Sequence, residues 1–244
     1  MLDRVIHGDV MAVLDQIPKE SIDLCVTSPP YNIGMDYGGI DDEIPWDVYY
    51  DWCKEWLNSL FEVMKPDGRV AINHYFSMGN AKRGKTYPLM KINEMAIEMG
   101  YKHHAVTFWM DRTLSRRTAW GSWLSASSPY INSPLEGILL LYKDQWKKLK
   151  KGTSTIDKEE FMMGCGGLWE IPTERKIKDH PAPFPEALAR MCINLLSYEG
   201  DVVLDPFVGS GTTCVVAKKS NRHYLGIDLN QDYVDLAENR LKEV

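Results

Sequence analysis

Short apolar runs alternate with longer stretches in which apolar residues recur every three or four positions. The runs at 4–7, 22–26, 69–73, 101–109, 136–142, 201–204 and 223–227 predict strands. Helical spacing predicts helices over 47–64, 86–99 and 184–196, a fourth running through Lys219, and a last one capped by Asn230. The 47–64 helix sets Trp52, Trp56, Leu60 and Val63 or Met64 on one side, and Lys65-Pro66-Asp67-Gly68 supplies a stop and turn. Strand–helix–strand alternation predicts an α/β fold: a largely parallel sheet with helices on both faces. Periodicity fails between 109 and 136, and again over 144–178. The second stretch is too small to hold its own core, so it reads as a subdomain inserted into a single domain spanning 1–244.

Composition narrows the class. No apolar run is long enough to span a bilayer, and the first residues lack the basic and apolar regions of a signal peptide. Five scattered cysteines, none in a C-x-x-C pair, argue against a disulfide framework and a zinc cluster, and suit a reduced cytoplasm. The six histidines lack ligand spacing, so no metal is expected. The net charge of −6 argues weakly against a nucleic-acid partner. From 112 to 178, however, 12 Lys or Arg face 7 Asp or Glu, and 143–151 gathers lysines around Trp146. That cluster reads either as a solvated face or as a phosphate-contacting surface.

Two loops carry candidate chemistry. Asp205-Pro-Phe-Val-Gly209-Ser-Gly211-Thr212-Thr213 follows one strand and opens a helix, the place where open α/β sheets bind ligands. Its glycines admit a ligand close to the backbone, and the helix N-terminus favours an anionic group. Asp205 offers an acceptor for an ammonium. A carboxylate beside an anion-binding turn suits the zwitterionic end of an amino acid better than a pyrophosphate, and no G-x-x-x-x-G-K-[ST] is present. Asp228, 19 positions beyond Gly209 at the end of the next strand, is placed to accept two ribose hydroxyls or to begin the following helix. An amino acid joined to a nucleoside describes S-adenosylmethionine. The other loop, Thr27-Ser28-Pro29-Pro30-Tyr31-Asn32, also follows a buried strand. Its prolines lack N–H groups, so their carbonyls and Ser28 Oγ are suited to accept from an –NH2 group, while Tyr31 offers a face for a planar base.

Together these loops resemble those of the amino-group DNA methyltransferases, which methylate N4 of cytosine or N6 of adenine. The catalytic loop precedes the cofactor loop, as in the permuted "beta" order of that family. The resemblance runs from Ile6 to Arg240, interrupted around 110–178. It implies a Rossmann-like S-adenosylmethionine-dependent fold with a mostly parallel, seven-stranded sheet and a small inserted recognition region. It assigns Asp205, Phe207, Gly209, Ser210, Gly211 and Thr212 to the cofactor loop, Asp228 to the ribose and Asp9 to the adenine amino group. Phe184 and Pro185 would flank the methionine. Ser28, Pro29, Pro30 and Tyr31 match the catalytic tetrapeptide, whose Ser form favours cytosine N4 over adenine N6.

The resemblance also implies direct, in-line transfer to an amine held by Ser28 Oγ and the Pro29 carbonyl, on a base flipped out of double-stranded DNA. The Pro-Cys nucleophile of C5 methyltransferases is absent. With DNA implied, Arg112, Arg116, Arg117, Lys147, Lys148, Lys150 and Lys151 become candidate DNA contacts, and the loop from Gly34 to Glu43 a candidate lid. A homodimer and a separately acting restriction endonuclease are the further partners the resemblance suggests. An adenine N6 enzyme and a catalytically inactive DNA-binding relative are the competing readings.

Overall fold

The computed structural model describes residues 2–35, 42–80, 84–110, 120–130, 135–173 and 184–244. Its strands are β1 (Arg4–His7), β2 (Ile22–Thr27), β3 (Met64–Tyr75), β4 (Met78–Asn80), β5 (Gly84–Thr86), β6 (Lys102–Met110), β7 (Trp120–Gly121), β8 (Pro129–Tyr130), β9 (Glu136–Tyr142), β10 (Leu168–Glu170), β11 (Val202–Asp205) and β12 (His223–Asp228). Its helices are α1 (Val10–Leu14), α2 (Trp46–Val63), α3 (Pro88–Glu98), α4 (Lys158–Gly164), α5 (Glu186–Leu196), α6 (Thr212–Lys219) and α7 (Gln231–Lys242).

One sheet organises the domain, in the order β1-β12-β11-β2-β3-β9-β6-β10. The five strands from β1 to β3 run parallel, β9 is antiparallel to both its neighbours, and β10 runs parallel to β6. The sheet is thus mostly parallel, and among the described residues β10 makes it eight strands wide rather than seven. Successive strand residues point to opposite faces, and both faces are covered. Cys25, Val70, Ile72, Leu139 and Leu141 face a core built with α1, α2 and α3. Leu24, Val26, Ala71, Ile138 and Leu140 face a second core built with α5, α6 and α7. All six residues of β2 are buried, the pattern of a central parallel strand.

Two segments depart from the sequence reading. Lys65-Pro66-Asp67-Gly68 is a bulge inside β3: the partner of Ile22 is Met64, and the partner of Leu24 is Arg69. The buried Asp67 accepts from the Leu149 backbone N–H at 2.7 Å, so long-range contacts hold what local signals mark as a turn. Second, the described part of 144–178 is built into the domain instead of standing apart. Trp146 lies flat against His104 at 3.5 Å, with the Arg69 guanidinium 4.4 Å from its ring centroid. Beyond it, α4 packs on α5 and β10 completes the sheet.

The order of strands fixes where a ligand fits. β11 continues through α6 to β12 on one side, whereas β2 continues through α2 to β3 on the other. The loops after β2 and β11 therefore diverge from adjacent strand ends and leave a crevice between them.

Candidate active site

A cavity of about 580 Å3 occupies that crevice. Ser28, Pro29, Pro30 and Tyr31 all line it, and so do Asp9, Phe184, Pro185, Asp205, Phe207, Gly209, Ser210, Thr212 and Asp228. Gly211 lies behind the wall. Its φ of +83° is left-handed, and a Cβ there would stand 2.6 Å from Ala237 Cβ, so the turn into α6 requires glycine.

The cavity is acidic. Asp205, buried at the end of β11, accepts from Thr27 Oγ1 at 2.8 Å and from the Phe207 N–H at 3.1 Å. Burial pushes its pKa up to about 6, against hydrogen bonds from Thr213 and Thr27 that lower it. Asp228 accepts from the Gly209 and Asn230 N–H groups, each at 2.9 Å, and thereby ties β12 to the glycine loop. Its burial likewise raises its pKa. Asp9 caps α1 through the Ala12 N–H at 3.1 Å. Among the described residues, no lysine or arginine side chain lines the cavity. With Asp42 and Glu136, five carboxylates line the cavity and no lining cation offsets them, which suits a positively charged ligand, not a polyphosphate. Phe207 and Trp52 form an aromatic wall, their centroids 5.3 Å apart.

At the other end of the cavity is a hydrogen-bonded chain. Ser28 Oγ is 2.8 Å from Tyr31 Oη, which is 2.9 Å from Glu136 Oε2. Asn73 Nδ2 donates to both Tyr31 Oη, at 2.6 Å, and Glu136 Oε2, at 2.7 Å. An ionised carboxylate only accepts, so Tyr31 must donate to Glu136, and Ser28 must donate to Tyr31. Ser28 Oγ is left with lone pairs. The Pro30 carbonyl is already taken by the Tyr49 hydroxyl at 2.7 Å, whereas no described group donates to the Pro29 carbonyl. Behind them, the buried His74 is held neutral, its pKa pushed down to about 3 by burial. It contacts Tyr49 Oη at 3.1 Å and packs on the Tyr31 ring at 4.4 Å.

Both ends, one lined by carboxylates and one by hydrogen-bond acceptors, lie on a chain that a family model described as DNA methylase matches over residues 22–239. The chain belongs to the N6/N4 DNA methylase family. It is 45% identical over 172 residues to the type II methyltransferase M.MjaVI of Methanocaldococcus jannaschii, covering 70% of this chain and 87% of that protein. It is 29% identical to the DNA adenine methyltransferase YhdJ of Escherichia coli K12, over 97% of this chain and 82% of that one. The structure of TTHA0409 from Thermus thermophilus, complexed with S-adenosyl-L-methionine, superposes with a TM-score of 0.77 at 30% identity, covering 98% of this chain and 93% of that one. This N6/N4 methylase is thus a DNA amino-methyltransferase that uses S-adenosylmethionine. The cavity's carboxylates, cation-free lining and glycine turn fit that group.

The structure also shows what sequence reading of this N6/N4 methylase missed. Asn73 and Glu136 reach the catalytic tetrapeptide from β3 and β9, and Arg240 reaches back from α7. The Arg240 guanidinium donates to the Ser210 carbonyl at 2.6 Å, to Thr212 Oγ1 at 3.0 Å and to Glu186 Oε1 at 3.2 Å. It fixes the glycine loop from behind. An arginine amid the polar residues of a last helix carries no sequence signal of such a task.

One member of the lysine cluster, Lys148, is corrected. Lys148 Nζ bridges Asp23 and Asp201, each at 3.3 Å, with its side chain only 6% exposed. Those partners stand where β2 and β11 begin, whereas the cavity lies where they end. With about 3.3 Å of rise per strand residue, β2 alone separates the two edges by most of the sheet's height. Lys147, Lys150 and Lys151 are exposed on the Lys148 segment, which follows the end of β9 opposite Glu136. The structure therefore does not bring the cluster to the catalytic loop, and Lys148 is committed to an internal ion pair. Arg112, Arg116 and Arg117 lie outside the described residues. So do 36–41 of the Gly34–Glu43 loop, whose base is pinned where Asp42 accepts from the Asn32, Ile33 and Met35 N–H groups.

Proposed function

We propose that this methylase transfers the methyl group to N4 of a cytosine flipped out of double-stranded DNA. The observation that carries the amino-group reading is the hydrogen-bonded chain from Ser28 through Tyr31 to Glu136. With the Ser28 proton directed to Tyr31, Ser28 Oγ accepts one amine N–H, and the Pro29 carbonyl accepts the other. Holding both hydrogens draws the nitrogen toward tetrahedral geometry and frees a lone pair otherwise delocalised into the ring. When bound, the cofactor supplies an electrophilic methyl on sulfur. Tyr31 provides the stacking surface for the flipped base, and Asp205, Asp228 and Asp9 hold the ammonium, ribose and adenine of the cofactor. Positioning two reactants in this way supplies up to about 7–11 kcal/mol of barrier reduction. The named activity of the Escherichia coli relative favours adenine; the Ser-Pro-Pro-Tyr form of the tetrapeptide favours cytosine.

The cavity mouth, at the strand ends, is the proposed DNA face. The connection bearing Arg112, Arg116 and Arg117 joins Trp109 to Glu136, both of which line the cavity. We assign the DNA contacts to that connection in preference to the lysine cluster. Methylation of DNA with labelled cofactor, followed by digestion to nucleosides, tests the target atom. N4-methylcytosine is expected. N6-methyladenine alone overturns the base, and 5-methylcytosine overturns the mechanism.

A further inference from the structure

An amine that gains a methyl group must shed a proton, and the two acceptors that hold it are both neutral. A delocalised ring amine is a very weak base, so a full positive charge left on its nitrogen is costly. The cavity wall holds one acid whose task the methyl transfer itself does not explain. Glu136 opens β9 and pairs in register with Tyr75 of β3 and Trp109 of β6. Its Oε2 receives the Tyr31 hydroxyl at 2.9 Å, and Tyr31 Oη receives the Ser28 hydroxyl at 2.8 Å. Both separations are ordinary O–H···O hydrogen-bond lengths, with no gap for a missing link.

We propose that Glu136 is the end of a proton relay, running through Tyr31 and Ser28, that takes up the proton released by the target amine. The relay rests on the reading of Ser28 as one of the amine's acceptors. The nitrogen lone pair forms the new N–C bond as the S–C bond breaks, and that bond's electron pair stays on sulfur. One amine N–H passes to Ser28 Oγ, the Ser28 proton to Tyr31 Oη, and the Tyr31 proton to Glu136 Oε2. One proton leaves the base and one arrives at the carboxylate. The positive charge that began on sulfur ends neutralised at Glu136, and the product amine is uncharged.

The surroundings suit the task. Tyr31 comes from the loop after β2, Asn73 and Tyr75 from β3, and Trp109 from β6; none is charged at neutral pH. His74, packed on Tyr31, is also neutral. Among the described residues, no cation pairs with Glu136. Its burial holds the carboxyl above its ordinary value of 4.5, which strengthens it as a proton acceptor. Asn73 Nδ2, by donating to both Tyr31 and Glu136, holds the chain in the one donor order that leaves Ser28 facing the amine with lone pairs.

Single-turnover methyl transfer at saturating cofactor and DNA, followed from acid to neutral pH, tests the relay. In the wild type the rate falls on the acid side as Glu136 becomes protonated. Glu136→Gln keeps a hydrogen-bonding partner of the same shape but cannot take the proton. It is expected to lose the acid limb and to run about 100-fold slower. Tyr31→Phe keeps the stacking ring, breaks the relay at its middle, and is expected to show the same loss even if the Gln variant fails to fold. The double variant should be no slower than either single one. Cofactor affinity by calorimetry and DNA affinity should match the wild type in all three. A wild-type rate in Glu136→Gln, or an acid limb that persists in it, overturns the relay. If the wild type methylates an amino group while Glu136→Gln behaves normally, the relay fails alone. If the wild type methylates no amine, the underlying reading fails.

Discussion

Lowering the pH from 7 to 5 is expected to weaken cofactor binding through Asp205. Its carboxylate is proposed to accept the ammonium of S-adenosylmethionine, and the ionised form does so far more strongly than the protonated one. With a pKa of about 6 in the free protein, Asp205 is about nine-tenths ionised at pH 7 and about one-tenth ionised at pH 5. Affinity should therefore fall about tenfold, or about 1.4 kcal/mol, across that interval. Asp228, also raised by burial, adds to the loss in the same direction. Titration calorimetry at both values, in buffers of different ionisation enthalpy, reads the affinity and the protons released. Near pH 6, binding should release about half a proton from Asp205. Asp205→Asn should bind weakly at both values and lose this release; Asp228→Asn should retain it. Equal affinity at pH 5 and pH 7 would refute the assignment of the ammonium to Asp205. The same shift has a second sign. Because the folded pKa exceeds the ordinary 3.8, the folded protein holds this proton more tightly than the unfolded chain does. Asp205 therefore makes the cofactor-free protein less stable as pH rises through about 4 to 6.

Three further outcomes follow. Gly211→Ala combines left-handed strain of about 1–2 kcal/mol with a collision against Ala237, so thermal melting should show a lower Tm and calorimetry weaker cofactor binding; an unchanged Tm would mean that α7 gives way freely. Lys148→Ala should cost about 1–3 kcal/mol in denaturant unfolding, because it takes the lysine from Asp201 and one of two lysines from the buried Asp23, which keeps Lys65 at 2.7 Å, yet leave the salt dependence of DNA binding unaltered. A flatter salt slope would restore that lysine to the DNA surface. Asp228→Ala should weaken cofactor binding by about 1–3 kcal/mol through loss of the ribose acceptor, and unchanged calorimetric affinity would remove that role.

What could be read from the sequence was what local pattern encodes. The β9 boundaries match because Glu136–Tyr142 is an apolar run with no competing signal. The expected 184–196 helix starts slightly later, at Glu186, because Pro185 takes the cap position. Both ligand loops were legible because glycine and proline mark their own geometry. Local pattern failed where distant residues decide. Nothing near Lys148 shows that it pairs with Asp23, 125 positions away. Glu136 begins an ordinary strand in sequence, and only pairing across 105 positions brings it to Tyr31. The Pro-Gly signal at 66–68 marks the end of α2, but the turn it also predicts is a bulge inside β3, held by β2 and Leu149.

The position of β11 between β2 and β12 bears on how the molecule assembles. Thr27 and Asp205, whose side chains meet in the finished site, are 178 positions apart. Until β11 docks, one edge of β2 lacks its neighbour, although all six of its residues end up buried. Such nonlocal pairing slows folding, and an apolar strand with an open edge is a template for self-association. No early fragment of the sheet holds both ligand loops, so catalytic competence comes late and at once. Because β2 is made well before β11, slower synthesis lengthens the time for which that open edge can pair with another chain.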